Sequence, residues 1–208
     1  IAPFFLEGGR LTANDVHYVA EEGGRLIPAA QTPFAEDRAF GFRNSDLKDY
    51  VEEKTNGRIR REDVLSITID DVRRGGPDAV RAKLRELTDM RACVVNAVTM
   101  RDMEVFALGM LRAEAEDGKR FLVRSAASFV QARIGLKKRP LLDAAVINHA
   151  GPASLENGGL IVVGSYVPKT TAQLAELMKL DGLEGIELDA RDLIDPSKRG
   201  GVLAAALT

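Results

Sequence analysis

Three short segments set charged or hydroxyl side chains where an apolar run gives way to a polar one. The first is Gly164-Ser165-Tyr166-Val167-Pro168-Lys169-Thr170-Thr171-Ala172-Gln173. An apolar strand ends there, a short polar loop follows, and a helix begins. Open α/β sheets bind ligands at the carboxyl ends of their strands, and a helix N-terminus offers free N–H groups to anions. The functional reading is phosphate binding by Gly164, Ser165, Thr170 and Thr171. The segment is not a Walker A loop, because Pro168 stands where the second glycine belongs and removes a donor. The plainer alternative is a βα turn capped by Thr170. The second segment is Arg124-Ser125-Ala126-Ala127-Ser128. A guanidinium at such a junction can hold a carboxylate in a bidentate pair. The alternative is a serine N-cap beside a surface arginine. In the third, Gly9-Arg10-Leu11-Thr12 runs on to His17-Tyr18-Val19. Arg10 follows a glycine pair and projects from a strand end, or else decorates a hairpin. His17 by itself reads as a packed or solvated histidine rather than a catalytic base.

These residues need elements to hold them. Val64-Leu65-Ser66-Ile67-Thr68-Ile69 is β-branched and reads as a strand. Gly75-Gly76-Pro77 opens a helix with Val80, Leu84 and Leu87 on one face. Cys93 to Val98 is the next strand. Met103, Phe106, Ala107, Met110 and Leu111 then follow helical spacing up to Gly118. Phe121-Leu122-Val123 reads as a third strand and Ala126 to Ile134 as a third helix. Residues 136–159 are rich in proline and glycine and weakly periodic, which marks a connection between domains. Leu160-Ile161-Val162-Val163 follows as a buried strand, Thr171 to Leu180 as a helix, and Ile186-Glu187-Leu188 as a last strand. Before all this, Leu11 to Val19 and Arg25 to Ala30 are short β-like pieces between glycine pairs. A helix from about Ser45 to Thr55 carries Asp46 and Asp49 in its first turn. The alternation implies an α/β fold with a Rossmann-like, mostly parallel sheet flanked by helices, then the beginning of a second α/β domain.

Composition narrows the functions. The 208 residues carry 45% hydrophobic and 29% charged side chains and a net charge of −2. No basic face for nucleic acid follows from that balance, and no apolar run approaches the roughly 18 residues of a membrane span. The runs Arg58-Ile59-Arg60-Arg61 and Lys137-Lys138-Arg139 lack interleaved aromatics and read as solvated loops. The single cysteine, Cys93, lies in an apolar run and reads as a core residue, which fits a reducing cytoplasm. The two histidines, His17 and His149, stand far apart, and no Cys or His spacing suits a metal.

Gly9-Arg10-x-Thr12 with His17-Tyr18-Val19, Asn44-Ser45-Asp46-Leu47, Asp102 to Leu111, Arg124 to Phe129, and Val163-Gly164-Ser165 with Pro168-x-Thr170-x-x-Gln173 occur in an order and spacing that resemble the four-carbon acid sugar kinases. The resemblance implies a sugar-acid domain in residues 1–140, a connection over 141–158 and the beginning of a nucleotide domain in 159–208. It implies an ATP-dependent kinase, with Mg²⁺, acting on a hydroxyl of a threonate- or erythronate-type acid. Arg10 and Arg124 are then expected on the substrate carboxylate, and Ser45 and Ser125 on its hydroxyls. The family's opening Asp-Asp-x-Thr-Gly, expected to supply the catalytic base, and its later glycine-rich ATP segments have no counterpart here. The base is therefore expected outside this chain. Asp15 stands where many members have glycine, and Arg124 to Ala127 where many have Gly-Ser-Ala-Gly. A small sugar acid is the expected partner, and a homo-oligomer is compatible with this reading. The rival is a non-catalytic sugar-acid-binding or interaction module. A nicotinamide-dependent dehydrogenase is disfavoured, because no strand is followed by G-x-G-x-x-G.

Overall fold

Asn14 and Asp15 split the first β-like run into a hairpin. Both take left-handed backbone angles, φ 50° and 63°, which their short polar side chains tolerate better than most. In this computed structural model, which describes residues 1–21, 23–143, 146, 159–165 and 167–206, β1 (Arg10–Ala13) pairs antiparallel with β2 (Val16–Ala20). β2 in turn pairs with β3 (Leu26–Pro28). Arg10 lies opposite Val19 and Thr12 opposite His17. Gly9 enters β1 at φ 62°, and an added Cβ there would stand 3.0 Å from the Ala20 Cβ, so the turn into Arg10 is built on glycine. Two single turns of 3₁₀ helix follow, at Ala29–Gln31 and Pro33–Glu36. α1 (Leu47–Lys54) is capped by Asp46, whose carboxylate accepts from the backbone N–H of Lys48 and Asp49.

The described chain divides into two units, Ile1–Pro140 and Leu141–Thr208. In the first, β4 (Leu65–Ile67) runs into α2 (Ile69–Arg73) and α3 (Gly76–Arg85). β5 (Cys93–Val95) then leads to α4 (Met100–Asp117) and α5 (Ala127–Ile134). β4 and β5 pair in parallel, Leu65 opposite Cys93 and Ile67 opposite Val95. Backbone bonding continues beyond them. The Val95 N–H donates to the Ile1 carbonyl at 3.0 Å, and the Ala2 N–H donates to Arg124 at 2.9 Å. A parallel bridge joins Ala2 to Ser125. The fold is thus α/β, and its regular parallel ladder has two strands rather than a full Rossmann-like sheet.

Capping decides where the strands stop. Thr68 and Asp71 form a reciprocal capping box, so Ile69 starts α2 instead of ending the strand. Thr99 and Asp102 do the same for α4, and the strand expected to reach Val98 ends at Val95. Phe121 to Val123 form no strand. Phe121 and Val123 pack on the core while Leu122 is exposed, and only Ser125 beyond them is bridged. Ile67 and Val95 meet Val80 and Leu84 of α3 and Met103, Phe106 and Met110 of α4 in one buried cluster. Gly109 lets α3 and α4 approach closely, since an added Cβ would lie 2.6 Å from the Val80 Cβ.

The second unit holds α6 (Pro168–Leu177), α7 (Ala190–Ile194) and α8 (Arg199–Ala206). The buried strand expected at Leu160 to Val163 is not formed: Leu160 is 90% exposed and Val162 82%. Ile186 to Leu188 form no strand either. Among the described residues of this unit no segment offers a strand partner, and an extended chain alone cannot satisfy its backbone groups. The connection expected over 141–158 falls mostly outside the described residues.

Candidate functional site

Arg10, Ser45, Arg124 and Ser125, drawn from three separate segments of the chain, line one cavity of about 260 Å³ in the first unit. Asn44, His17, Phe34, Phe42 and Tyr50 line it with them, and no Asp or Glu does. The β1–β2 hairpin supplies Arg10 and His17. It is pinned to the end of β5 by mutual backbone bonds between Thr12 and Ala97, each 3.0 Å. At its turn the Asn96 amide donates to the Asp15 carboxylate at 2.7 Å and its carbonyl accepts the Asp15 N–H at 2.8 Å. Ser66 donates to the same carboxylate and Lys48 lies 3.6 Å from it. This partly buried network locks the turn onto the carboxyl ends of β4 and β5.

The start of α1 is tied to β2, because the His17 N–H donates to the Ser45 carbonyl and the Leu47 N–H to the Asp15 carbonyl, both 2.8 Å. Ser45 is therefore placed by the hairpin. Its Oγ accepts the Ala30 N–H at 2.8 Å and keeps its own proton for a ligand. Arg124 and Ser125 sit where the sheet's last bridged segment turns into α5. The helix is capped at Ala126 with no side-chain cap, so the serine-cap alternative for Ser125 does not hold. Ser125 is exposed and makes no side-chain hydrogen bond among the described residues. Ser128 of the same motif is buried and structural, accepting the Leu6 N–H at 3.0 Å.

Both arginines are seated on aromatic rings. The Arg10 guanidinium lies 4.7 Å from the Phe34 ring centroid. That of Arg124 lies 5.3 Å from the Tyr50 ring and donates to the Tyr50 hydroxyl. Phe42 packs edge-on against Tyr50 at 5.8 Å. Neither arginine has a carboxylate partner among the described residues. Cation–π seating orients a guanidinium and leaves donors free along its edge. His17 is neutral at pH 7: burial, helped by the Arg10 charge, pushes its pKa down to about 4. Its Nδ1 lies 3.0 Å from the buried Thr12 hydroxyl. The arrangement can bind an anion with adjacent hydroxyls. Cys93 stays a core thiol, which burial pushes up to about 11.

Gly164, Ser165, Thr170 and Thr171 belong to the second unit. α6 starts at Pro168 with Val167 as its cap residue, so Thr170 and Thr171 lie inside the first turn and Thr170 does not cap it. The Thr171 hydroxyl bonds back to the Val167 carbonyl at 3.3 Å, and the Ser165 Oγ accepts the Val167 N–H at 3.4 Å. No group of three or more His, Cys, Asp or Glu suited to a metal occurs among the described residues. No helix there is long and apolar enough to cross a membrane.

Sequence reasoning missed Phe34, Phe42 and Tyr50 and gave His17 no part in a site. The available signal was the clustering of aromatics in the irregular stretch from Thr32 to Asn44, which no core periodicity explains. The first unit is thus an α/β unit with a cavity lined by two arginines and hydroxyl-bearing side chains. Residues 1–133 match the model of a family described as a sugar-binding N-terminal domain. The chain belongs to that family, whose domain is the N-terminal one of the four-carbon acid sugar kinases. No curated protein matches the chain.

Proposed function

We propose that the protein is an ATP-dependent kinase that phosphorylates a hydroxyl of a four-carbon sugar acid, of the threonate or erythronate type, and that the first unit holds the acid. The observation that carries this reading is the meeting of Arg10, Arg124, Ser45 and Ser125 around one cavity lined by no carboxylate. Arg124 pairs with the substrate carboxylate in a charge-assisted bond, oriented by Tyr50. Ser45 and Ser125 bond substrate hydroxyls and fix which one faces the phosphoryl donor. Positioning and charge stabilisation make up most of the catalysis of phosphoryl transfer. Bound with Mg²⁺, ATP supplies the phosphoryl group. Gly164, Ser165, Thr170 and Thr171 are the residues of this chain we assign to its phosphates, because the first turn of α6, ahead of Thr171 whose own N–H donates to the Val167 carbonyl, is a helix N-terminus. We place the enzyme in the cytoplasm.

The test is a coupled assay of the full-length protein with ATP, Mg²⁺ and threonate or erythronate. Sugar-acid-dependent ADP release supports the kinase. Binding of the acid with no turnover under any of these conditions leaves a sugar-acid-binding module instead. Ser165→Ala is expected to lower kcat more than it raises KM, as for a contact that tightens in the transition state.

A further inference from the structure

We infer that His17 is a specificity-determining residue of the cavity in the first unit: its Nε2–H donates to one hydroxyl of the bound sugar acid and selects for acids that carry a hydroxyl at that carbon. This rests on the reading of that cavity as the acid site. Thr12 is fully buried on β1, and its side chain has one hydrogen-bond partner among the described residues, the His17 Nδ1 at 3.0 Å. A hydroxyl shut away from water with a single partner gives its proton to that partner, because the alternative buries an unpaired O–H. Nδ1 therefore accepts, and the neutral ring carries its own proton on Nε2. No other side chain bonds to the ring among the described residues, and His17 lines the cavity with Arg10 and Ser45, so Nε2 is left for a ligand.

Charge decides what kind of group it meets. Burial and the neighbouring Arg10 charge keep the ring uncharged at pH 7. The guanidiniums in the same wall offer charge-assisted bonds to a carboxylate, and a neutral N–H is matched to a neutral hydroxyl oxygen. His17 is also held at a fixed distance from a second such donor. Its backbone N–H donates to the Ser45 carbonyl at 2.8 Å, and the Ser45 Oγ accepts the Ala30 N–H and keeps its own proton. The cavity thus sets two neutral donors side by side on ordered backbone, an arrangement that suits a ligand with neighbouring hydroxyls. A site built to bond a hydroxyl discriminates against the analogue that lacks it.

Calorimetric titration of the full-length protein with threonate and its three deoxy relatives, 3,4-, 2,4- and 2,3-dihydroxybutanoate, tests this. For one of the three, the loss of affinity relative to threonate is expected to be roughly three- to tenfold in the native protein and less than about twofold in His17→Phe, with the other two losses unchanged. His17→Gln keeps a donor at the reach of Nε2 and should retain part of the discrimination. Thr12→Val removes the hydroxyl that fixes the ring and should blur discrimination at the same carbon. Thermal melts on all three variants identify a folding defect, which would move the four acids together. A uniform loss in His17→Phe, or three undiminished losses in that variant, overturns the inference and leaves the acid site standing. No binding of any of the four acids by the native protein overturns both.

Discussion

Arg73 and Arg124 lie in the same unit and meet opposite fates. Arg73 donates in two parallel bonds, 2.8 and 3.0 Å, to the carboxylate of Asp102. Asp102 is buried and also accepts the N–H groups of Val98 and Thr99, closing the capping box of α4. Burial pushes the Asp102 carboxyl up, but Arg73 and those N–H groups outweigh it and hold the pKa down at about 2. Arg124 has a phenol and a ring for company, and no carboxylate among the described residues. One arginine is spent on joining α2 to α4. The other is oriented and left for something the chain does not itself supply. A charge answered within the fold stabilises the fold; a charge held in place without an answer is available for binding.

Substitutions should separate the two roles. The largest expected effect is at the cavity: Arg124→Ala in the full-length protein should weaken the acid by about 2–4 kcal/mol, read as a rise in KM, with the melting temperature unchanged. Unchanged kinetics would return Arg124 to a surface arginine. Asp102→Asn should act the other way round, lowering stability by roughly 2–3 kcal/mol in urea unfolding and leaving affinity alone. Because the folded pKa lies below the unfolded 3.8, this stabilisation is complete above pH 3.8 and lost as pH falls towards 2. Tyr50→Phe keeps the ring under Arg124 and removes the hydroxyl, so affinity should fall by about 0.5–1.5 kcal/mol. A loss as large as that of Arg124→Ala would mean that Tyr50 touches the ligand.

The smallest effect concerns His17. Its pKa is about 4 in the folded protein and 6.5 in the unfolded chain. Between those values the unfolded chain binds more protons, so stability falls as pH drops through that window. From pH 7 to pH 6 the change is on the order of 0.5 kcal/mol, and His17→Gln should flatten it in pH-dependent urea melts. A slope unaltered by the substitution would assign the titration elsewhere.

Much of the first unit was legible from local signals. The period of Met103, Phe106, Ala107 and Met110 marks α4, and the left-handed Gly118 at φ 65° ends it as expected. Arg124 and Arg10 could be singled out because each follows a strand-like run at a break in pattern. In the second unit the same reasoning failed. Leu160 to Val163 look like a buried strand by composition, yet burial and pairing require a partner segment that the run itself cannot contain. α6 was found, but its start was read three residues late because Pro168 was placed in the loop and not at the first helical position, which its fixed φ suits.

Residue types and spacing alone marked the helices seen as α1, α3, α4, α5 and α6, the glycine that ends α4, and two arginines at the ends of strand-like segments; α2, α7 and α8 were not marked. These are near-neighbour effects, carried by N-caps, glycines and periodic apolar faces within a few residues. Only the tertiary structure decided that Arg10 and Arg124 share a cavity, that Phe34 and Tyr50 seat them, and that Asp102 neutralises Arg73 while nothing lining the cavity neutralises them. Charge compensation depends on distances across the chain, and such distances are set by how β5, the hairpin and α1 pack, which no local pattern encodes.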